Sequence, residues 1–265
     1  MTAPPSPQPP PAAPLLEMIG VTVVASRNPA IIRIENLDWT IQPGEFWVVG
    51  GPPDSGKTDL LATAACLSRP MRGRHRLFGQ DTRVVPTEQF LPDRLRVGVV
   101  FADGGRLLQQ LTVTENLALP WCYHHNCSFD AAADRVRSLL AAHGLEFLAA
   151  QPCHRLGRPW RQRVALARAL MLGPDLLFLD NPTGGLNPGQ IDWWMDWLDR
   201  LHTGHAPPDH RPITLVVATD DLRPWCRPGR QFAILHQNRW RLLGNSDKLA
   251  DCTELAVREL LGERS

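Results

Sequence analysis

The stretch that most restricts what this chain can fold into is Gly50-Gly51-Pro52-Pro53-Asp54-Ser55-Gly56-Lys57-Thr58. Apolar, strand-prone Phe46-Trp47-Val48-Val49 leads into it, and Asp59 to Ala65 continues from it with the composition of a helix. Strand, glycine-bearing turn and helix, in that order, are the setting in which the pattern G-x-x-x-x-G-K-[ST] holds phosphate, and Gly51 to Thr58 meets it without a gap. Backbone N–H groups at a helix N-terminus form a positive concavity for phosphate. Gly56 lets the chain pass close to the ligand, Lys57 can reach the outer phosphates, and Thr58 can hold Mg²⁺. A turn that merely caps a helix would match the pattern but would not need both flanks. Two residues weaken the cradle: Pro53 has no N–H to offer, and Asp54 turns a carboxylate toward a polyanion. The expectation is a nucleotide site formed by Gly51, Pro52, Pro53, Asp54, Ser55, Gly56, Lys57 and Thr58 that binds loosely.

With 265 residues, 43% of them hydrophobic, the chain can bury a full core as one large domain or a domain with a subdomain. Its 28 basic residues stand against 27 acidic ones, so no long-range field draws in nucleic acid or an anionic membrane. That balance suits a specific protein partner and argues against nucleic acid. Cys66, Cys122, Cys127, Cys153, Cys226 and Cys252 show no C-x-x-C spacing. Neither a zinc site nor a disulfide framework is expected, and reduced thiols in the cytoplasm are. No apolar run approaches the ~18 residues of a membrane span, and the N-terminus lacks the basic start and apolar core of a signal peptide. If the protein works at a membrane, another molecule holds it there.

Residues 1–14 are mostly proline and alanine and read as a disordered, polyproline-like tail. From Leu15 to Ile41 short apolar runs alternate with turn residues such as Asn28-Pro29, which predicts a small antiparallel meander. Arg74 to Gly79 is expected as an edge strand and Arg96 to Phe101 as a buried one. A helical pattern occupies about Leu107 to Leu148, with one helix starting at Asp130 and another over Val164 to Leu170. Asp175 to Asp180 and Ile213 to Thr219 read as buried strands ending in carboxylates, the second followed by Asp220-Asp221. A hairpin over residues 232–244 and a short helical tail, residues 250–265, close the chain. Strands alternating with helices indicate an α/β fold with a mostly parallel sheet and ligands at the strands' C-terminal ends.

Asp180, ending the strand Leu176-Leu177-Phe178-Leu179-Asp180, is the kind of acidic residue that holds Mg²⁺ in phosphate-loop enzymes. With "NPTGGLNP" directly after it and "RQRVALARALMLGPDLLFLD" leading in, the stretch resembles the Walker B and D-loop segment of ATP-binding cassette (ABC) ATPases and the helix before it. The resemblance runs from about residue 15 to 249. It implies a RecA-like P-loop NTPase core with an antiparallel β subdomain and a helical subdomain near residues 102–160. It further implies ATP and Mg²⁺ as cofactors, with Thr58 and Asp180 on the metal. The partners implied are a second nucleotide-binding subunit, identical or not, closing head-to-tail on ATP, and a membrane permease that holds the chain at the inner face of the cell membrane. "FADGGRLLQQLTVTENLALP" is most similar to cassettes of lipid transporters of the MCE (Mla-like) type.

The departures from that family pattern matter as much. The signature, usually LSGGQ, falls on Leu156-Gly157-Arg158-Pro159-Trp160, which loses the serine hydroxyl and both glycine N–H approaches to the partner's γ-phosphate. The catalytic glutamate falls on Asn181, and an amide cannot take a proton as a general base. The Q-loop glutamine falls on Ala102, the switch histidine on Asp220 and the D-loop aspartate on Asn187, and no aromatic for stacking adenine stands around Val23 to Asn28. The expected function is an Mg-ATP-binding transporter subunit with weak hydrolysis. The alternative is a pseudo-ATPase acting as a structural or regulatory subunit. Trp193, Trp194 and Trp197 are expected to pack rather than to bind, and Asp220-Asp221 to be a solvated strand end.

Overall fold

The computed structural model describes residues 13–263, so the expected tail over residues 1–14 lies almost wholly outside the described residues. In chain order the elements are β1 (Leu16–Ala25), β2 (Asn28–Ile41), β3 (Phe46–Gly50), α1 (Lys57–Ala64), β4 (Arg72–Leu77), β5 (Gln80–Asp81), α2 (Thr87–Leu95) and β6 (Val97–Val100). They continue with α3 (Val113–His125), α4 (Ala133–His143), α5 (Arg158–Leu170), β7 (Leu176–Asp180), α6 (Pro188–His202), β8 (Thr214–Thr219), β9 (Arg230–His236), β10 (Arg239–Asn245), α7 (Ser246–Ala250) and α8 (Leu255–Leu260). The strands form two sheets. One is antiparallel, in the order β2-β1-β4-β5; the other runs β10-β9-β3-β8-β7-β6 and is parallel except for β10.

The larger sheet is the middle of three layers, and period-two alternation builds it. On β3, Trp47 and Val49 face one core with Phe178, Val216 and Leu235, shared with α1 and the antiparallel sheet. Phe46 and Val48 face the other with Leu179, Val217 and Phe232, covered by α3 to α6. Strands buried on both faces read as continuous apolar runs, which is why β7 and β8 are plain in the sequence. The two sheets meet at Trp39 of β2, whose ring lies 5.8 Å from Trp47 and 5.0 Å from Trp240.

Several expectations need correction. The first strands form a hairpin turning at Ser26-Arg27, and Asn28-Pro29 opens β2. That strand is at the edge of its sheet, where a proline costs no ladder hydrogen bond. β4 is flanked by β1 and the two-residue β5, so it is not an edge. β6 is the edge of the large sheet, with Val97 and Val99 half-buried. A 3₁₀ turn over Phe129–Ala132 precedes α4, and α5 begins six residues before Val164, at Arg158. α2 is absent from the sequence reading, because Pro92 within it interrupts the periodicity. The C-terminal segment docks on the core: Val257 is fully buried and the Leu222 N–H donates to the Leu260 carbonyl at 2.9 Å.

Candidate functional site

Parallel register gathers the site. Gly50 of β3 lies opposite Thr219 of β8, and Asp180 of β7 opposite Ala218, so the phosphate-loop turn, Asp180 and Asp220 emerge side by side at the strands' C-terminal ends. The Gly51 N–H donates to the Thr219 carbonyl at 3.1 Å, and a Cβ on Gly51 would stand 2.5 Å from the Leu235 carbonyl oxygen, so no larger residue fits this turn. The Ser55 N–H donates back to the Pro52 carbonyl at 3.3 Å, and Gly56, at φ +97°, starts α1. α1 has no side-chain cap, so its first amides, which a helix cannot pair internally, are left for a ligand. A hollow of about 110 Å³ lies there, lined by Arg33, Asp54, Ser55, Gly56, Lys57, Thr58 and Asp59.

Lys57 is buried at 8% exposure, its Nζ donating to the carbonyls of Gly51 at 2.6 Å and Pro52 at 2.7 Å and to Ser55 Oγ at 3.3 Å. Burial pulls its pKa down, and Asp220, Asp180 and Asp54 resist that shift. The ammonium is therefore held in the cradle by groups that phosphate oxygens can replace. Thr58 Oγ1 donates to Asp180 Oδ2 at 2.7 Å, which puts a hydroxyl and a carboxylate within one coordination sphere. Hard oxygen donors of this kind suit Mg²⁺, and the residues present fit both the metal and a polyphosphate.

The other end of the site is built differently. Asn181, at φ +44°, donates from Nδ2 to Asp220 Oδ2 at 3.3 Å, while its buried Oδ1 has no hydrogen-bond partner among the described residues. The two residues read from the sequence as standing at the family's glutamate and histidine positions thus touch each other. Asp221 turns away to a paired contact with Arg223, at 2.9 and 2.7 Å. Asn187 caps α6 in a reciprocal box with Gln190. Gly157 is the N-cap of α5, Arg158 lies against Gly185, and Trp160 packs edge-on to Phe147 at 5.1 Å. Ala102 opens the 3₁₀ turn Ala102–Gly104. Trp194 and Trp197 are core, and Trp193 stacks between Trp197 and the Arg163 guanidinium.

From Thr58 and Asp180 a groove of about 680 Å³ runs between the hairpin tip, Ala25 to Arg27, and the segment Phe101 to Arg106. Its walls bring in residues that lie outside the motifs. Arg33 pairs with Asp59 at 3.2 Å, and Asp59 also accepts from the Ser26 hydroxyl at 2.7 Å, tying the hairpin to α1. Arg106 lies over the Phe101 ring at 3.9 Å. An arginine within the apolar run Ile31-Ile32-Arg33-Ile34 is the one signal the sequence offers for this wall.

The ABC transporter family profile matches residues 34–184, more than half of the chain. The chain belongs to the ABC transporter family of ATP-binding domains. The cassette is 34% identical over 77% of its length to the macrolide export ATP-binding/permease protein MacB of Rhodopseudomonas palustris, covering 30% of that protein. It is 31% identical over 87% of its length to the sulfate/thiosulfate import ATP-binding protein CysA of Mycolicibacterium paratuberculosis, covering 60% of it. It therefore spans less than two thirds of the length of these relatives. Among solved structures, the ATP-binding cassette MJ0796, in a dimeric post-hydrolysis state bound to ADP and Pi, superposes with a TM-score of 0.76 at 26% identity, over 86% of this chain and 98% of that one. The α/β P-loop NTPase fold read from the sequence is the one observed. Among the described residues no helix is long and apolar enough to cross a membrane.

Proposed function

We propose that the cassette is the Mg-ATP-binding subunit of a membrane transporter, in which bound ATP stabilises a closed assembly while the chain's own hydrolysis is weak. The observation that carries this reading is the contrast within one site. Lys57, Thr58 and Asp180 converge as a phosphate and metal cradle, whereas Asn181 and Asp220 face each other without a glutamate or histidine. Gly51 to Thr58 hold the phosphates, Thr58 and Asp180 hold Mg²⁺, and the metal neutralises phosphate charge when bound. Asn181 bears an amide, which cannot take a proton from an attacking water, and its Oδ1 is buried rather than presented to one. Relatives named for macrolide export and for sulfate import support a permease partner at the inner face of the membrane, and a cassette dimer among the solved structures supports a second nucleotide-binding subunit. Lipid cargo of the MCE type rests on the likeness of residues 101–120.

A homodimer would pair Asn181 with Leu156 to Trp160 in both composite sites, and a consensus partner would leave each site one defect. ATP as a stabilising ligand follows by mass action. Calorimetry with Mg²⁺ and a non-hydrolysable ATP analogue, on the native chain and on Lys57→Ala, tests the binding. Equal affinity for the two would remove the loop from consideration. The pseudo-ATPase reading is favoured over transport if the gene's neighbourhood holds no permease and phosphate release stays at background.

A further inference from the structure

At the opposite end of α1 from the phosphate loop, a second hollow of about 120 Å³ opens among α1, the β4–β5 turn region and α2. Arg69, Arg83 and Arg94 reach it from three separate segments, and no carboxylate among the described residues lines it. Some arginines of this chain find acids, as Arg33 with Asp59, Arg96 with Asp175, Arg135 with Asp209 and Arg230 with Asp199, and others, such as Arg161 and Arg168, find carbonyls. Here Arg83 donates to the Gly73 carbonyl at 3.0 Å, and the guanidiniums of Arg69 and Arg94 have no hydrogen-bond or ion-pair partner among the described residues. Three like charges around one concavity repel unless an anion joins them.

The floor of the hollow is polar; just outside the lining, Asp81 accepts the Arg83 N–H at 3.0 Å and acts on His75, a negative charge that the arginines outnumber. His75 is fully buried; its Nδ1 lies 3.0 Å from Thr82 Oγ1 and 3.8 Å from Cys66 Sγ. Its Nε2 has no hydrogen-bond partner of proper geometry among the described residues, although the Ala64 carbonyl lies near enough to support the ring's basicity. Burial pushes the His75 pKa down to about 4 and the Cys66 thiol up to about 12, so neither side chain brings a charge at neutral pH. The end of α1 carries partial negative charge, softened because the Ala62 and Thr63 oxygens accept from the N–H groups of Leu67, Ser68 and Cys66, and the three arginines have to outweigh it.

We propose that this hollow binds a small phosphate-bearing anion, held by Arg69, Arg83 and Arg94 above His75. The guanidinium fork matches phosphate oxygens two at a time, and the volume exceeds that of a single water several-fold; Ser68 and Thr82 line the wall, their hydroxyls engaged by Ser26 and by the His75 carbonyl. The anion is either free inorganic phosphate or pyrophosphate, or the phosphoryl group of a small organic ester.

Because α1 carries a phosphate site at each end, the loop has to be silenced in the test. The full chain bearing Lys57→Ala is titrated by calorimetry with inorganic phosphate, pyrophosphate and glycerol 3-phosphate. The expected result is saturable binding of at least one probe, weakened tenfold or more when Arg69→Ala and Arg94→Ala are added together. Binding by the inorganic ions alone identifies a free anion, and binding by the ester identifies a phosphoryl group on a larger molecule. As a control for folding, the preferred probe should raise the unfolding temperature of the Lys57→Ala chain and leave that of the triple variant unmoved. No saturable binding of any probe, or binding undiminished by loss of the two arginines, overturns the proposal.

Discussion

The two ends of the nucleotide site obey different rules. At the loop end the side chains are matched: Lys57 to three acceptors and Thr58 to Asp180, with the Gly51 amide held by Thr219. At the far end Asn181 Oδ1 is buried and unmatched, and α5 starts with Arg158-Pro159-Trp160, where the family reading of the sequence expects two glycines and a glutamine. Burying an unmatched polar atom costs about 1–3 kcal/mol; at the loop end the one such atom among the described lining residues, Arg33 Nε, has the Asp59 carboxylate 3.2 Å away, whereas Asn181 Oδ1 has no such compensation. Binding and turnover are separate properties, and in the proposed reading this chain keeps the geometry for the first while altering the groups for the second.

The largest test of that contrast is Lys57→Ala, which should weaken binding of the Mg-bound ATP analogue by about 10²-fold or more, since charge-assisted hydrogen bonds contribute ~1.5–3 kcal/mol each. Unchanged affinity in calorimetry would dissolve the distinction. Acid provides the next. His75 behind the loop end and His143 behind the far end both have pKa values pushed down to about 4 by burial. Both are neutral when folded and take up protons on unfolding below their ordinary pKa. The histidine contribution to stability should therefore fall as pH drops from about 6.5 to about 4, by up to about 3 kcal/mol for each ring, and level off below that, where carboxylates held low such as Asp175 and Asp221 take over the loss. Urea midpoints across this range measure it, and a flat profile would contradict the burial of both rings.

Smaller effects follow. Thr58→Ala removes one metal ligand and should weaken Mg²⁺-dependent binding about tenfold, with metal-free binding nearly unchanged. Asn181→Glu should raise phosphate release by less than about tenfold, because the first turn of α5 stays altered; restoring a base alone would otherwise be worth ~10²–10⁴. Brisk permease-coupled turnover in that variant would show the far end to be competent. Turnover in the native chain that vanishes in Asp220→Ala would make Asp220 a base.

The sequence discloses what depends on local pattern. β3, β7 and β8 are continuous apolar runs because both their faces are covered, and the loop is legible because its glycines and lysine answer to backbone geometry. Order in the sheets is not local. That β6 is an edge and β4 is flanked depends on which strand arrives beside it. Pro92 hides α2, and the start of α5 is hidden by its own unusual first turn, Arg158-Pro159-Trp160, which reads as a degraded motif rather than as helix. Within the site, Asn181 and Asp220 stand out separately as departures. Their hydrogen bond, and the Ser26–Asp59–Arg33 tie across the groove, join segments far apart in the chain and have no signal in either one alone.

Trp39 belongs to the antiparallel sheet, yet it is packed against Trp47 of the large sheet and against Trp240, whose indole N–H donates to the Asp38 carbonyl at 3.1 Å. Three strands from two sheets thus share one aromatic contact. Neither sheet can open at that seam without breaking the same indole packing, so the segments of β2, β3 and β10 around Trp39 are expected to open together, and their amide protons to exchange with solvent in one step.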